Sequence, residues 1–350
     1  MEKLEQTRLD ALHGFFAESR VVTLVSHAHP DGDAVGSTTA LCAWLQALGK
    51  DVQTILPTPP GDNIRFICEG FSPLVYTREQ AACDRRLAAS DLLVCLDFNG
   101  FSRADAMEPA LRAATARKVL IDHHLYPDEA AFDLCFSQTD ISSASELLFW
   151  ILLGMPEVAG DAALLPPRCA AALMAGMTTD TNNFANSVYP STFEMASRLL
   201  AAGVDRDGII SALYHSYREN RIRLFGEMMK DRLRITPEGV ALMFLPSALA
   251  RRYDIREGET EGLVNQPLAI SSVRMSVLVK EESDGTVRVS LRSKRGVSAN
   301  RFAARFFHGG GHEMASGGKI LVPGDVASIQ EIEAYLADVS RQYMREEAAV

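Results

Sequence analysis

Apolar positions in the first half of the chain fall into short β-branched runs that alternate with helical spacing. Val21–Val25 (VVTLV) has the length and continuity of a strand buried on both faces. Asp51–Leu56 (DVQTIL), Asp91–Leu96 (DLLVCL) and Lys118–Ile121 (KVLI) repeat that grammar. Between and after them the spacing predicts helices over Val35–Leu48, stopped at Gly49, and over Ser143–Leu153 and Ala162–Met174, the last with Pro166-Pro167 inside its start. The N-terminal segment MEKLEQTRLDALHGFFAESR is charged and helix-like. Strands separated by helices predict an α/β fold, a doubly wound and mostly parallel sheet.

After about Pro190 the texture changes. Ser191–Ala202 and Asp207–Met229 read as helices rich in charge and small residues. LRITPEGVALMFL, SSVRMSVLVKEES and GTVRVSLRSK then alternate polar with apolar, parted by Pro-Glu-Gly and Asp-Gly turns, which is antiparallel-sheet patterning. A helix over Ala299–Phe307 precedes Gly309-Gly310-Gly311-His312. The expected organisation is a first domain over 1–190, a helical linker over 191–228 and a smaller α+β domain over 229–350.

Composition narrows the function. Of 350 residues, 47% are hydrophobic and 23% charged, which excludes a disordered chain or a collagen-like fibre. Acids outnumber bases by 45 to 35, a net charge of −10, which disfavours a protein that coats long duplex nucleic acid. The N-terminus lacks an apolar core, and no run of about 18 apolar residues occurs, so a cytoplasmic protein without a membrane span is expected. The six cysteines form no C-x-x-C pair and read as buried free thiols.

Five of the eight histidines sit in three motifs: His27 with His29, His123 with His124, and His312. Acids accompany them. His27, Asp31 and Asp33 follow the first strand, Asp97 follows DLLVCL, Asp122 leads into His123 and His124, and Asp180 follows the apolar stretch LMAGMTT. In an open parallel sheet the carboxyl ends of strands line one edge, so these chain-distant clusters are expected to converge in one cleft. An EF-hand is excluded, because position five counted from Asp31 is Val35 and position twelve is Cys42. Imidazole and carboxylate suit divalent ions, manganese among them. Asp31, Asp33, Asp97 and Asp180 would balance two such ions, which together lower the pKa of a shared water and clamp a phosphoryl group. In the second half, Gly309-Gly310-Gly311 is expected to leave backbone N–H groups bare for an anion, with Arg292, Ser293, Lys294 and Arg295 at a strand end nearby.

SHAHPDGDAVGS, LDFNG, IDHH and TTDT resemble, in order, the four motifs of the DHH phosphoesterase superfamily. LRSK followed by NRFAARFFHGGGHEMASGG resembles the DHHA1 domain that accompanies it. The compact length is similar to the NrnA-like group, nanoRNases that often also dephosphorylate 3′-phosphoadenosine 5′-phosphate (pAp). The resemblance implies two divalent metals, manganese above all, in a cleft between the two domains. It implies His27, Asp31 and Asp97 around one ion and Asp33, Asp97, His123 and Asp180 around the other, with Asp97 bridging. His124 would contact the scissile phosphate and Asp122 would orient a neighbour, making these two and Asp97 the catalytic set. Arg292, Ser293, Asn300, Gly310, Gly311 and His312 would bind substrate, with Arg103 a further phosphate contact. The implied partners are short RNA or a mononucleotide or dinucleotide, with a homodimer in keeping with the group. Linear or cyclic dinucleotides form the alternative substrate class; a nucleotide sensor and a single-strand exonuclease are weaker readings. The chain departs from the resemblance at His29, where relatives often carry asparagine, and at Asn182 and Ala185, where they often carry glycine and arginine.

Overall fold

The computed structural model describes residues 4–256 and 258–347, and the chain divides into two compact units, 1–216 and 217–350. The first unit runs α1 (Gln6–Glu18), β1 (Val21–Val25), α2 (Gly32–Ala47), β2 (Asp51–Leu56), β3 (Leu74–Val75), α3 (Tyr76–Ala88), β4 (Leu92–Leu96), α4 (Glu108–Ala113), β5 (Arg117–Asp122), β6 (Leu134–Ser137), α5 (Ala144–Leu153), α6 (Pro167–Asp180), α7 (Pro190–Ala201) and α8 (Arg206–Tyr214). Its six strands are all parallel, in the order β3-β2-β1-β4-β5-β6. Strand order therefore reverses between β1 and β4, the place where an open α/β sheet opens a crevice at its carboxyl edge.

The core explains why the sheet is covered on both faces. Every residue of β4 is buried. Leu92, Val94 and Leu96 join one apolar cluster with α1, α2, α5 and α6, whereas Leu93 and Cys95 join a second with α3 and α4. That is the period-two alternation of a strand read from both sides. Helix α2 is buried from Gly32 through Leu45. It can lie so deep because it is built from small residues: a Cβ on Gly36 would stand 2.8 Å from the Ala172 carbonyl oxygen and from the Gly176 Cα of α6. All six cysteines are unpaired thiols of this unit, five of them buried. Burial pushes the thiols of Cys42, Cys83 and Cys135 up to about 11.

Three expectations are corrected here. Pro167 starts α6 instead of interrupting it, since its missing N–H is harmless at a first helical position. The segment 162–164 is a separate short 3-10 turn, and α6 continues to Asp180, so Asp180 stands at a helix end and not after a strand. The stretch 191–228 is not set apart from the two units: Met195, Leu199, Ile209 and Leu213 pack into the first unit's core, and the helical reading over 207–229 breaks at residues 215–218.

The second unit runs α9 (Glu219–Glu227), β7 (Arg234–Ile235), β8 (Val240–Leu245), α10 (Ser247–Arg252), β9 (Met275–Glu281), β10 (Val287–Ser293), α11 (Ala299–Phe306), β11 (Gly310–Gly311), β12 (Ala315–Ile320) and α12 (Ile332–Glu347). Its sheet order is β11-β12-β10-β9-β8-β7. The expected antiparallel pairing holds everywhere except between β8 and β9, which are parallel and joined by a crossover through α10. One face carries α11 and α12, with Phe302 stacked on Tyr343 at 4.7 Å between ring centroids. The other buries Met243, Leu245 and Leu278 under Leu224 and Met228. Among the described residues no helix is long and apolar enough to cross a membrane.

Candidate metal centre

The loops that leave β1, β4 and β5 bring the site together at the reversal of strand order. His27 follows β1, and its Nδ1–H donates to the Ala28 carbonyl at 2.9 Å, since a carbonyl only accepts. That bond turns Nε2 inward, 3.5 Å from Asp97 Oδ2 and 3.9 Å from Asp31 Oδ1. Asp31 caps α2: its Oδ1 accepts from the N–H groups of Asp33 and Ala34 at 3.0 and 3.1 Å. Asp97 follows β4 with a left-handed φ of 63°, a conformation a non-glycine residue adopts only where its surroundings demand it. Its N–H donates to Ile121 of β5 at 3.0 Å.

Asp97 is the pivot. One oxygen stands near His27, and the other is 3.3 Å from His123 Nε2. His123 Nε2 lies 3.4 Å from Asp180 Oδ2 and 3.9 Å from Asp33 Oδ2. Thus His27, Asp31 and Asp97 form one group able to hold an ion, and Asp33, Asp97 and His123 form a second sharing the same carboxylate. Asp180 flanks the second group at the carboxyl end of α6, the negative end of a helix dipole. Beside them Asp122, fully buried, accepts from His124 Nδ1 at 2.7 Å and from the His124 N–H at 3.2 Å, fixing that ring.

Asp33 shows how the fold grips a buried acid. Its Oδ2 accepts from Ala144 N–H at 2.6 Å and its Oδ1 from Ser145 N–H at 2.9 Å, at the N-terminus of α5. Ser143 caps that helix by accepting from Glu146 N–H at 2.9 Å. Buried Glu146 is held in turn by the hydroxyls of Ser142 and Thr192. Sequence reasoning missed this clamp; its one visible signal was Ser143 followed three residues later by Glu146.

The electrostatics of the protein without ions describe a site short of positive charge. Burial pushes Asp33 well above the usual carboxylate range, and Asp97 and Asp180 add to the effect. Burial opposes ionisation of Asp97 too, but His123 and His27 override it and hold that carboxyl well below its usual range. Burial disfavours a charged His123, yet Asp180, Asp97 and Asp33 raise it to about 10. His27 is raised against its burial by Asp97 and Asp31, while burial lowers His124. Two buried atoms, His27 Nε2 and Asp97 Oδ1, have no hydrogen-bond partner. Orphaned lone-pair atoms in a shared acid–imidazole cluster fit divalent cations.

A testable consequence concerns pH. His123 keeps its proton up to about 10 without metal, and coordination needs that nitrogen free. Addition of Mn²⁺ at pH 7 should therefore release at least one proton per chain. Apparent affinity should rise with pH by at least about tenfold per unit between pH 6.5 and 8.5, since Asp33 as well as His123 must give up a proton to hold an ion. Calorimetric titration in buffers of different ionisation enthalpy at pH 6.5, 7.5 and 8.5 measures both; pH-independent binding would contradict the assignment.

The remaining sequence candidates are placed as follows. The Arg103 carbonyl accepts from Ala28 N–H at 2.8 Å, and its positive charge is felt at His27, where it works against the imidazolium. His29 stands outside the cluster, its N–H bonded to Thr58 Oγ1 at 2.7 Å and its ring 4.0 Å from Asp105. In the second unit Arg292 is half-buried at the end of β10, with Nη1 donating to its neighbour Leu291's carbonyl. Ser293 is buried and spends its hydroxyl on the Val297 carbonyl at 2.7 Å. Asn300 donates from Nδ2 to the Gly311 carbonyl. Gly310 and Gly311 form β11 opposite Gly317 and Ser316. His312 opens the next turn, its N–H on Ala315 and its carbonyl accepting from Ser316. The expectation of a bare glycine run is corrected at Gly309, whose N–H donates to Ala303 at 3.2 Å. Glycine is required there because a Cβ would fall 1.9 Å from the Gly317 carbonyl oxygen.

A doubly wound sheet that gathers aspartates and histidines at its switch point, followed by a separate mixed-sheet unit, defines a two-domain α/β protein with a metal-type acid–histidine centre. The chain belongs to the DHH family: the model of the DHH family, N-terminal domain, matches residues 21–177, and that of the DHHA1 domain matches residues 240–338. A protein of Streptococcus mutans named "Probable bifunctional oligoribonuclease and PAP phosphatase NrnA" is 32% identical over 84% of this chain and 88% of its own. The bifunctional oligoribonuclease and PAP phosphatase NrnA of Bacillus subtilis is 26% identical over 91% and 93%. The crystal structure of an exopolyphosphatase-related protein from Bacteroides fragilis aligns with a TM-score of 0.89 at 32% identity, covering 99% of this chain and 100% of that one. Exonuclease RecJ bound to manganese shares the fold, with a TM-score of 0.56 at 18% identity over 98% and 96%.

Proposed function

We propose that this chain is a phosphoesterase, dependent on two divalent metals, that hydrolyses short oligoribonucleotides and pAp. The observation that carries the proposal is the Asp97 carboxylate set between His27 and His123, one oxygen toward each, with buried lone-pair atoms left unpaired. His27, Asp31 and Asp97 would hold one ion, and Asp33, Asp97, His123 and Asp180 the other. Manganese suits this mixture of imidazole and carboxylate. Bound there, two such ions supply an activated water and Lewis-acid stabilisation of the phosphoryl oxygens.

The chain's own groups do the rest. The Ala28 carbonyl and the α5 N-terminus orient His27 and Asp33 before any ligand arrives. Asp122 keeps the His124 ring aligned by accepting from its Nδ1–H; burial disfavours the imidazolium in the free protein, so the Nε2 proton that would donate to a phosphate oxygen is taken up as the anionic substrate binds. Arg103 adds a guanidinium for the substrate phosphate. Arg292, Gly310, Gly311 and His312 would bind substrate from the second unit, with Asn300 and Ser293 shaping those turns by the bonds they already make.

The names carried by the relatives in Bacillus subtilis and Thermus thermophilus support both substrate classes. Cyclic-di-AMP phosphodiesterases named GdpP also match, at 27% identity, but the aligned region is 47% of their length. Product analysis with Mn²⁺ on pAp, a 5′-phosphorylated dinucleotide, a five-residue RNA, c-di-AMP and pyrophosphate, with an EDTA control, tests the proposal. Turnover of pAp and short RNA, lost in EDTA, is expected. Turnover of cyclic or linear dinucleotides alone would move the function to clearance of signalling nucleotides, and binding without turnover would make the protein a sensor. A His312→Ala variant should raise KM while two ions per chain remain bound, by elemental analysis; loss of metal would end the proposed separation of metal and substrate residues.

A further inference from the structure

Tyr126 lies on the loop after β5, two residues beyond His124. It is 85% exposed, the most exposed large apolar side chain among the described residues. Nothing in the fold explains an aromatic ring held in water at that place, and the backbone beneath it is unusual. Tyr126 has a left-handed φ of 58°, a conformation an aromatic residue rarely adopts. Asn99 holds it there: its Nδ2 donates to the Leu125 carbonyl at 2.8 Å and to the Tyr126 carbonyl at 3.4 Å, while its own carbonyl accepts from Asp128 N–H at 2.8 Å. Asn99 is itself two residues beyond Asp97. The loop is thus pinned to both catalytic turns, and two residues of backbone, at most about 7 Å, separate Tyr126 from His124.

We propose that Tyr126 is the platform on which the nucleobase of the substrate stacks while its phosphate sits at the metal centre. The inference rests on the nucleotide reading above. An aromatic face accepts any base, because every base has a π-face, and its contribution is largest when the ring is ordered before the ligand arrives. The Asn99 bonds supply that order. Enzymes that act on short oligonucleotides of arbitrary sequence need a platform of this kind in place of base-edge hydrogen bonds. The neighbouring Leu125, 36% exposed, extends the apolar patch.

The test uses the full chain loaded with Mn²⁺ and two substrates, pAp and its base-free counterpart, 1-deoxyribose 3,5-bisphosphate. Tyr126→Ala should raise KM for pAp by about tenfold, with kcat unchanged, and leave the base-free substrate unaffected. Tyr126→Phe should behave as wild type. Tyr126→Trp should bind AMP with quenching of the new indole's fluorescence. A Tyr126→Ala enzyme with wild-type KM for pAp, as expected if the ring serves a protein partner instead, overturns the platform. So does an equal loss on both substrates. Wild-type enzyme that turns over neither compound brings down the functional reading itself, and the platform with it.

Discussion

Replacement of Asp97 by alanine should lower turnover at least about 1,000-fold, because it removes the one group common to both proposed ion sites. Asp97 ionises only because His27 and His123 face it, and in the metal-free protein those three groups compensate one another. Without the carboxylate, His123 keeps Asp33 and Asp180 as acidic partners, while His27 keeps the exposed Asp31 and its bond to the Ala28 carbonyl. Ion binding should fall from two per chain to one or none. Asp97→Asn separates charge from shape, since it retains the side-chain outline but loses the charge. It should match alanine in activity while melting closer to wild type. Elemental analysis and initial rates on pAp decide the matter; an Asp97→Ala enzyme with two ions and full activity would overturn the assignment.

Gly176→Ala should damage the site by another route, through the support of Asp33. A Cβ at Gly176 would stand 2.1 Å from Ser145 Oγ and 3.0 Å from Asp33 Oδ1, so it strikes the clamp that α5 places on Asp33. Overpacking of this kind costs about 2 kcal/mol, and displacement of a supporting partner lowers metal affinity by about tenfold. The same substitution at Gly14, in the middle of α1, is the control. No atom lies within 4 Å of a Cβ there, so alanine should stabilise the chain by about 0.5–1 kcal/mol through helix propensity. Urea unfolding of the two variants should therefore shift in opposite directions. A Gly176→Ala protein as stable as wild type and with unchanged Mn²⁺ affinity would show that α5 and α6 do not jointly set Asp33.

The strands that feed the site were legible because β1, β4 and β5 carry short apolar, largely buried runs in a sheet covered on both faces. The edges were not. β3 has two residues, and β6, Leu134–Ser137, is mostly half-buried and shows no buried alternation. In the second unit alternation located β8 and β9, but period two is the same in parallel and antiparallel pairs. Direction was set by the crossover through α10, which local pattern does not encode. At the site the ligand-type side chains were legible because topology sends the ends of β1, β4 and β5 to one place. Asp180 arrives differently, from a helix whose close approach depends on Gly36 and Gly176. Such contacts depend on residues with no side chain to attract notice. The grip of α5 on Asp33 is made by backbone N–H groups, which every residue carries, so composition cannot reveal it.

The distribution of thiols has a practical consequence. All six lie between Cys42 and Cys169, within the first unit, and the second has none. Once half-exposed Cys135 has reacted, the other five meet an alkylating reagent only when the unit around them opens, since burial suppresses both access and thiolate. The rate of alkylation is therefore a clock for the opening of one unit while the other stays silent. Run with and without Mn²⁺, it would separate any stability that bound metal lends to the first unit from the stability of the chain as a whole.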